Sequence, residues 1–571
     1  MKKKNLKIYL LSFILLSAFS CTDDFSETTP FGVLGEDQLA NATGVDLQLT
    51  GAYAIVGGSR STGSVNNFAI SPDNWWFDVI VDDAHKGSNN SDQTNLESLE
   101  TLEIFPGNSF VTAKFQALYA GVSRTNAVIN AVRATPDTDL SFQEAQARFL
   151  RGYFYFELTK IYGNVAVIDE VSAAAGEDNL PNTGPAWDLI ESDFQFAAEN
   201  LLDQKISGQE AIPTAGAARA FLGKAHVYQQ EWAEALAQFN LVINSGEFSL
   251  QPDFLTNFTL AGENGVESVF QAQFTAEGAN SPSGNQGGTL NFPGGEPFGS
   301  CCGFYQPTID LANAFLVDAS GLPNNLDGSS ILTSDQALSS DDAYTLDVTT
   351  PVDLRLDYTV GRRGVDYNGF GEHPGQAWVR SVVTNGDFSG PYMPKKNIYQ
   401  ETEIAAARGR GVWGQEHSGL NYNILRYADV LLLAAEAAVE TGDLSTALSL
   451  VNQVRQRAAN SNPVQATDGN GPAANYQVGL YPSFPDAEFA RQAVRMERRI
   501  ELAMEGHRYF DLARWGVASE VINRYITNEG RVISTIANNF VTSFQDFQSV
   551  LPIPTQSIDI SQGTLTQNPG Y

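Results

Sequence analysis

AGAARAFLGKAHVYQQEWAEALAQFNLVINSG, residues 215–246, reads as two amphipathic helices joined by a short polar turn. Leu222 and Gly223 in the first helix, with Ala235 and Phe239 in the second, fall at the spacing of a tetratricopeptide-type pair, although His226 stands where that repeat prefers Tyr. A second stretch of this kind, ADVLLLAAEAAVETGDLSTALSLVNQVRQRA at 428–458, puts Ala435, Ala447 and Val451 in corresponding places. Such a pair buries its apolar face only by stacking on another. The expected fold is therefore all-α dominated, a scaffold of helix pairs interrupted by a long loop-rich insertion.

Working outward, AQARFLRGYFYFELTKIY (145–162) carries apolar residues at intervals of three and four, the mark of a helix with a thick buried face. FQALYAGVSRTNAVINAV (115–132) supplies a preceding partner, with Pro136 and Asp139 in the connection. Residues 250–420 are instead rich in Gly, Pro, Asn and Ser, and SPSGNQGGTLNFPGGEPFGSCCGFY (281–305) is the extreme case. Irregular chain of that length in an ordered protein is usually functional or draped over a scaffold.

At 571 residues the chain exceeds what one core can organise, so several sub-domains or a repeat architecture are expected. The net charge of −32 argues against nucleic acid, whose affinity for proteins comes from Lys and Arg displacing counterions. The same field repels polyanionic polysaccharides unless a local basic pocket overrides it, so a neutral glycan is favoured over an acidic one.

MKKKNLKIYLLSFILLSAFSC pairs a Lys-rich start with an apolar run, Ile8 to Phe19, too short to span a bilayer permanently. It reads as a secretory signal ending in Ser17-Ala18-Phe19-Ser20-Cys21, which resembles a lipobox with Ala18 where Leu is usual. Cys21 is then the lipidated residue. Of the three cysteines this leaves the adjacent Cys301 and Cys302, which either close a strained eight-membered ring or remain two reduced small hydrophobes.

Catalytic motifs are scarce. The histidines His85, His226, His373, His417 and His507 are scattered singly, so no His-based metal motif is readable. Gly409, Gly411 and Gly414 form a GxGxxG, but no strand-to-helix context surrounds it, and it reads as a glycine-rich turn. There is no nucleophile elbow and no Walker loop. A glycosidase pair of carboxylates is defined by spatial separation, not by a motif, and stays open. Asp82, Asp83, Asn89 and Asp92 offer oxygens for a structural calcium without EF-hand spacing; a solvated polar loop is the default reading. In the same stretch, SPDNWWFDVIVDDAHKGSNNSDQ (71–93), Trp75 and Trp76 stand in polar surroundings. They serve either as a platform on which the C–H faces of sugars stack or as anchors of the loop in the core.

VRMERRIELAMEGHRYFDLARWG (494–516) and LPIPTQSIDISQGTLTQNPGY at the C-terminus carry a specific resemblance. Both are similar to segments of the SusD/RagB family, the surface glycan-binding lipoproteins of Bacteroidetes. RFLRGYFYFELTKIYGNVAV (148–167), the pair at 217–246, CGFYQPTIDLANAF (302–315) and NYNILRYADVLLLAAEA (421–437) extend the match over essentially the whole mature chain. Thr22-Asp23-Asp24 after Cys21 also resembles that phylum's acidic surface-export tag. Read from the residues, the 494–516 helix needs no catalysis: Glu505 and Arg508, and Asp511 and Arg514, are three apart and can pair along one face, while His507 is structural.

The resemblance implies a SusD-like α/α superhelical fold. Its expected parts are a signal peptide (1–20), a lipidated cysteine and linker (21–40), an N-terminal helical region (41–250), a loop-rich insertion contributing to the ligand site (251–420) and a C-terminal helical region (421–571). It implies a non-enzymatic protein, lipid-anchored on the extracellular face of the outer membrane, that captures an oligosaccharide and delivers it to a SusC-like TonB-dependent transporter. The implied glycan contacts are Trp75, Trp76, Phe304 and Tyr305, with Asp73, Asn74 and Asp78 as polar partners and Trp378 and Trp413 as further aromatics. No cofactor is expected beyond the calcium noted above. A neutral β-glucan such as laminarin suits the acidic chain; a glycoside hydrolase and, from the RagB branch, a peptide-capture protein are the alternatives.

Overall fold

The computed structural model describes residue 39 and residues 41–571, apart from 59–66, 90, 279–280, 282, 300, 325–330, 380–389, 412–413 and 541–542. The signal peptide and Cys21 therefore lie outside the described residues.

The principal helices are α1 (Ala42–Val56), α2 (Ser109–Arg133), α3 (Ser141–Tyr162), α4 (Trp187–Asn200), α5 (Ala215–Tyr228), α6 (Trp232–Ser245), α7 (Tyr427–Glu440), α8 (Leu444–Asn460), α9 (Ala487–Leu502), α10 (Arg508–Arg514) and α11 (Ala518–Glu529). Their starts follow the capping rules: Asn108, Thr214, Asp443 and Asp486 each turn a side-chain oxygen onto an otherwise unpaired N–H of the first turn. Helix α3 packs between α2 and α4, α4 packs on α5, and α5 on α6. Helix α6 then meets α7, and α7 meets α8 and α9, so the two helix pairs that the sequence separates by some 180 residues are direct neighbours. Within the first pair, the approach of α6 to α5 depends on Gly223, where a Cβ would lie 2.7 Å from the Phe239 ring. The absent side chain lets that ring reach the helix backbone.

Six short strands, β1 (Ala84–Gly87), β2 (Ser268–Ala272), β3 (Phe304–Pro307), β4 (Arg408–Arg410), β5 (Glu416–Ser418) and β6 (Tyr422–Arg426), position the insertion. β2 and β6 pair antiparallel, Ser268 opposite Arg426 and Ala272 opposite Tyr422, so the insertion leaves the scaffold and returns to it at one place. β1 and β3 pair antiparallel, Ala84 opposite Pro307, and tie the N-terminal loop to the insertion. β4 and β5 pair antiparallel with Gly409 inside β4, opposite His417, so the glycines do not lead from a strand into a helix as a dinucleotide loop does.

The 494–516 segment is not one helix. α9 ends at Leu502 and α10 begins at Arg508, with Met504 at φ 61° and Gly506 at φ 71° between them. At Gly506 a Cβ would lie 2.3 Å from the carbonyl oxygen of Asp73, and its N–H donates to Asp78 Oδ2 at 2.9 Å. The helix breaks because this turn is pressed onto residues 73–78, a contact that only glycine permits.

Its charges point inward. Arg355, Lys396, Arg426, Arg455 and Arg457 interlock with Asp353, Glu267, Glu497, Glu501 and Glu505, five cations with five carboxylates, all buried. Arg426 reaches Glu267 at 2.9 Å, Glu501 at 2.5 Å and Glu505 at 2.8 Å, while Arg355 reaches Glu497 at 2.7 Å and Glu501 at 2.8 Å. Of the two expected i,i+3 pairs, Asp511–Arg514 forms at 2.8 Å. The other does not, because Glu505 is held by Arg426 and Lys396 while Arg508 reaches across to Asp82 at 2.8 Å.

The tail closes the molecule. Leu551 N–H donates to Ile161 O at 2.7 Å and Asn568 Nδ2 to Tyr162 O at 2.8 Å, docking residues 551–568 against the end of α3.

Candidate functional site

The stretch 71–78 joins the insertion inside the core. Trp75 and Trp76 are 1% and 0% exposed; their indole N–H groups donate to Phe68 O and Ala69 O, each at 3.1 Å. Trp75 meets the Tyr305 ring edge-on at 5.6 Å, Trp76 stacks on Phe77 at 3.8 Å, and both contact Phe110. Tyr305 O–H donates to Asp78 Oδ2 at 2.6 Å, and Asn74 Nδ2 donates to Glu157 at 3.0 Å. Burial, reinforced by the charge of Asp83, pushes the Asp78 carboxyl up to about 8.

Asp73, Asn74, Trp75, Trp76, Asp78, Phe304 and Tyr305 are thus gathered into one cluster, as their expected roles required, but all are buried. This corrects the expected glycan contacts. The tryptophans anchor the loop and offer no face to a sugar, because every partner of the rings and their N–H groups is protein. Trp378 is likewise buried among Phe298, Tyr367 and His373, and its Nε1–H donates to Glu296 O at 2.8 Å. Trp413 lies outside the described residues.

The solvent-facing edge of this cluster is a rim of short loops. Ser88 N–H donates to Gly303 O at 2.8 Å, Gly303 N–H to Phe292 O at 2.9 Å, and Gly294 N–H to Trp378 O at 2.9 Å, so Ser88, Gly303, Phe292–Gly294 and Trp378 are linked in series. Asn89, Asp92, Gly294, Gly295 and Cys301 are half-exposed on it; Ser91, Glu296 and Pro297 are exposed. Cys301 and Cys302 are joined in a disulfide between adjacent residues, which decides between the two readings of the pair.

The loop is shaped by a cation of its own. Lys86 is 1% exposed, and its ammonium donates to the carbonyls of Asn89 at 2.7 Å and Asp92 at 3.0 Å. Asp82 and Asp83, the other residues of the calcium set, face away and are taken by Arg499, each at 3.0 Å, with Arg508 also on Asp82. The four do not converge on a shared cation position. Elsewhere the fold brings His226, Glu191 and Glu231 together with ligand atoms within 4.8 Å of one another, a group able to hold a metal ion that no sequence motif announced.

Beneath the rim, His85 is caged: Nδ1 lies 3.0 Å from Glu100, Nε2 lies 3.0 Å from Glu529, and the Tyr525 hydroxyl lies 3.4 Å from Nδ1. Burial alone would lower its pKa, but the two carboxylates outweigh it and push it up to about 9. The folded state holds this proton more tightly than the unfolded chain, so the stabilisation is fully present below the unfolded value near 6.5 and is lost as pH rises through about 9. Roughly 3 kcal/mol follows from a shift of that size. Thermal denaturation between pH 6 and pH 10 should show a falling midpoint in the native protein and a much flatter profile in His85→Gln; equal slopes in the two proteins would refute the caged proton.

A family model described as SusD family matches residues 266–571, and one described as "Starch-binding associating with outer membrane" matches residues 54–228. The chain belongs to the SusD family. SusD-like protein P2 of Formosa agariphila is 26% identical over 584 aligned residues, covering 99% of this chain and 100% of that protein. Among solved structures, surface glycan-binding protein A of Bacteroides thetaiotaomicron in complex with laminarihexaose superposes with a TM-score of 0.66 at 19% identity, covering 92% of this chain and 99% of that one. A laminarin-binding SusD-like protein gives 0.64 at 21% identity, covering 93% and 100%. These likenesses establish the SusD helical fold. No helix among the described residues of this SusD-family protein is long and apolar enough to cross a membrane.

Proposed function

We propose that this SusD-family protein captures a neutral oligosaccharide at the cell surface, on the rim formed by residues 87–93, 292–303 and the Trp378 loop, and passes it to a TonB-dependent outer-membrane transporter. The observation that carries the reading is the pairing of β1 with β3, which sets a polar, uncharged-amide loop beside the insertion on a rigid aromatic base. Asn89 and Ser91 supply donors and acceptors for sugar hydroxyls, and the Cys301–Cys302 disulfide adds a compact apolar surface beside them. The laminarin-binding and laminarihexaose-bound neighbours support a β-glucan as the ligand, and the family description supports association with the outer membrane. Lipidation at Cys21 supplies the anchor in this reading.

Calorimetric titration of the protein lacking its first 21 residues against laminarin, starch, mannan, xylan and fructan tests it. We expect saturable heat with laminarin and about tenfold weaker binding in Asn89→Ala, the value of a lost hydrogen bond near the upper end of its range. Heat with none of the neutral glycans would refute capture of this class.

A further inference from the structure

A cleft of about 310 Å³ opens between α9, α10, α11 and the short helix Ile309–Ala314. Four arginines line it: Arg495, Arg499, Arg508 and Arg524. Two are already neutralised, Arg499 by Asp82, Asp83 and Asp310 at 3.0, 3.0 and 2.9 Å, and Arg508 by Asp82 at 2.8 Å. Arg495 and Arg524 form no ion pair among the described residues, whereas Arg491 next to them pairs with Glu440 and Glu488, and Arg514 with Glu436 and Asp511. In a chain with 66 acidic and 34 basic residues, two unpaired guanidiniums in one cleft are a departure from the pattern.

Arg495 is also fixed in place. Its guanidinium lies 4.8 Å from the Trp515 ring centroid, and that indole is held by its own N–H to Glu436 at 2.9 Å. Its Nε is buried with no hydrogen-bond partner. That nitrogen is closed to a ligand, so an incoming acceptor is met by the terminal N–H groups, which make no hydrogen bond to protein among the described residues. The remaining lining selects the kind of acceptor. Asp310, Glu488 and Glu520 would repel a densely charged polyanion, as would the whole chain, but their carboxylates accept hydrogen bonds from hydroxyls. Met496 and Val521 offer apolar surface to ring C–H groups. One negative group set among hydroxyls on an otherwise apolar ring satisfies all of these.

We propose that this cleft binds the carboxylate of a single uronic acid unit, with Arg495 as its principal partner and Arg524 in support. The site is the local basic pocket that overrides the repulsion of the acidic chain, and it stands apart from the neutral-glycan rim.

Titration with sodium glucuronate, glucose and sodium sulfate, followed by calorimetry and by tryptophan fluorescence through Trp515, tests it. Saturable binding of glucuronate is expected, with no response to equal glucose, a salt-dependent affinity, and a loss of about tenfold or more in Arg495→Ala that Arg495→Lys restores only in part, since lysine keeps the charge without the fork. Undiminished glucuronate binding in Arg495→Ala, or no glucuronate binding by native protein, overturns the site. Sulfate bound as tightly as glucuronate overturns the sugar-acid assignment. Laminarin titrated in parallel separates the two readings: its heat retained without a glucuronate response removes this cleft alone, and the reverse removes the rim alone.

Discussion

Glu501→Ala should lower the free energy of unfolding by about 3–5 kcal/mol, the cost of stranding buried cations when one partner of an ion pair is removed. Glu501 serves three arginines, Arg355, Arg426 and Arg457, and is itself 0% exposed. Those arginines come from the insertion, the end of β6 and α8, so the carboxylate is the point at which the returning insertion is locked to the C-terminal helices. Water cannot replace it without opening that junction. Urea denaturation of the two proteins measures the loss, and a change below about 1 kcal/mol would show that the cations find other acceptors in the ten-member network. Glu501→Gln keeps the shape and removes the charge; it should fall nearer to alanine than to the native protein, because an amide offers each guanidinium only a neutral oxygen.

Trp76→Ala should cost about 3–5 kcal/mol, the range for a large aromatic removed from a packed core. The ring stacks on Phe77, meets Phe110 edge-on, and sits where Phe77 continues to Tyr509 and Phe510 of α10. The substitution therefore loosens the contact between the 71–78 loop and the turn at Gly506. Glycan affinity measured on the folded fraction, well below the unfolding midpoint, should stay within about twofold of native. A variant that folds with native stability yet loses the glycan would return Trp76 to the role of sugar platform.

Periodicity made the scaffold legible. Both helix pairs, and α2 with α3, follow from apolar spacing, and Gly223 opposite Phe239 is the contact that the repeat-like spacing anticipates. The 494–516 segment shows where that logic stops. Glu497, Arg498, Arg499, Glu501, Glu505 and Arg508 have the look of a solvated stripe, and local spacing offers Arg498 to Glu501 and Glu505 to Arg508, each three residues apart. Their real partners lie on the insertion, β6, α7, α8 and the 71–93 stretch, and nothing within a short window distinguishes a charge answered by solvent from one answered by a distant segment. The tryptophans failed for the same reason: Asp73, Asn74 and Asp78 make their neighbourhood look exposed, yet these polar groups bond to Asn285, Glu157, Tyr305 and Gly506 inside the protein.

The docking of residues 551–568 onto the end of α3 bears on how the chain reaches this state. Tyr162 and Ile161 are complete early in synthesis, but their closing partners, Leu551 and Asn568, emerge some 390 to 400 residues later. His85 waits similarly for Glu529, and Asp82 for Arg499 and Arg508. Contacts of such sequence separation raise the contact order and slow the final assembly. Until then the carbonyls at the end of α3 lack their closing donors, and the early ion pairs are half-formed. The contacts that close the molecule are thus the last that the chain can form as it is made.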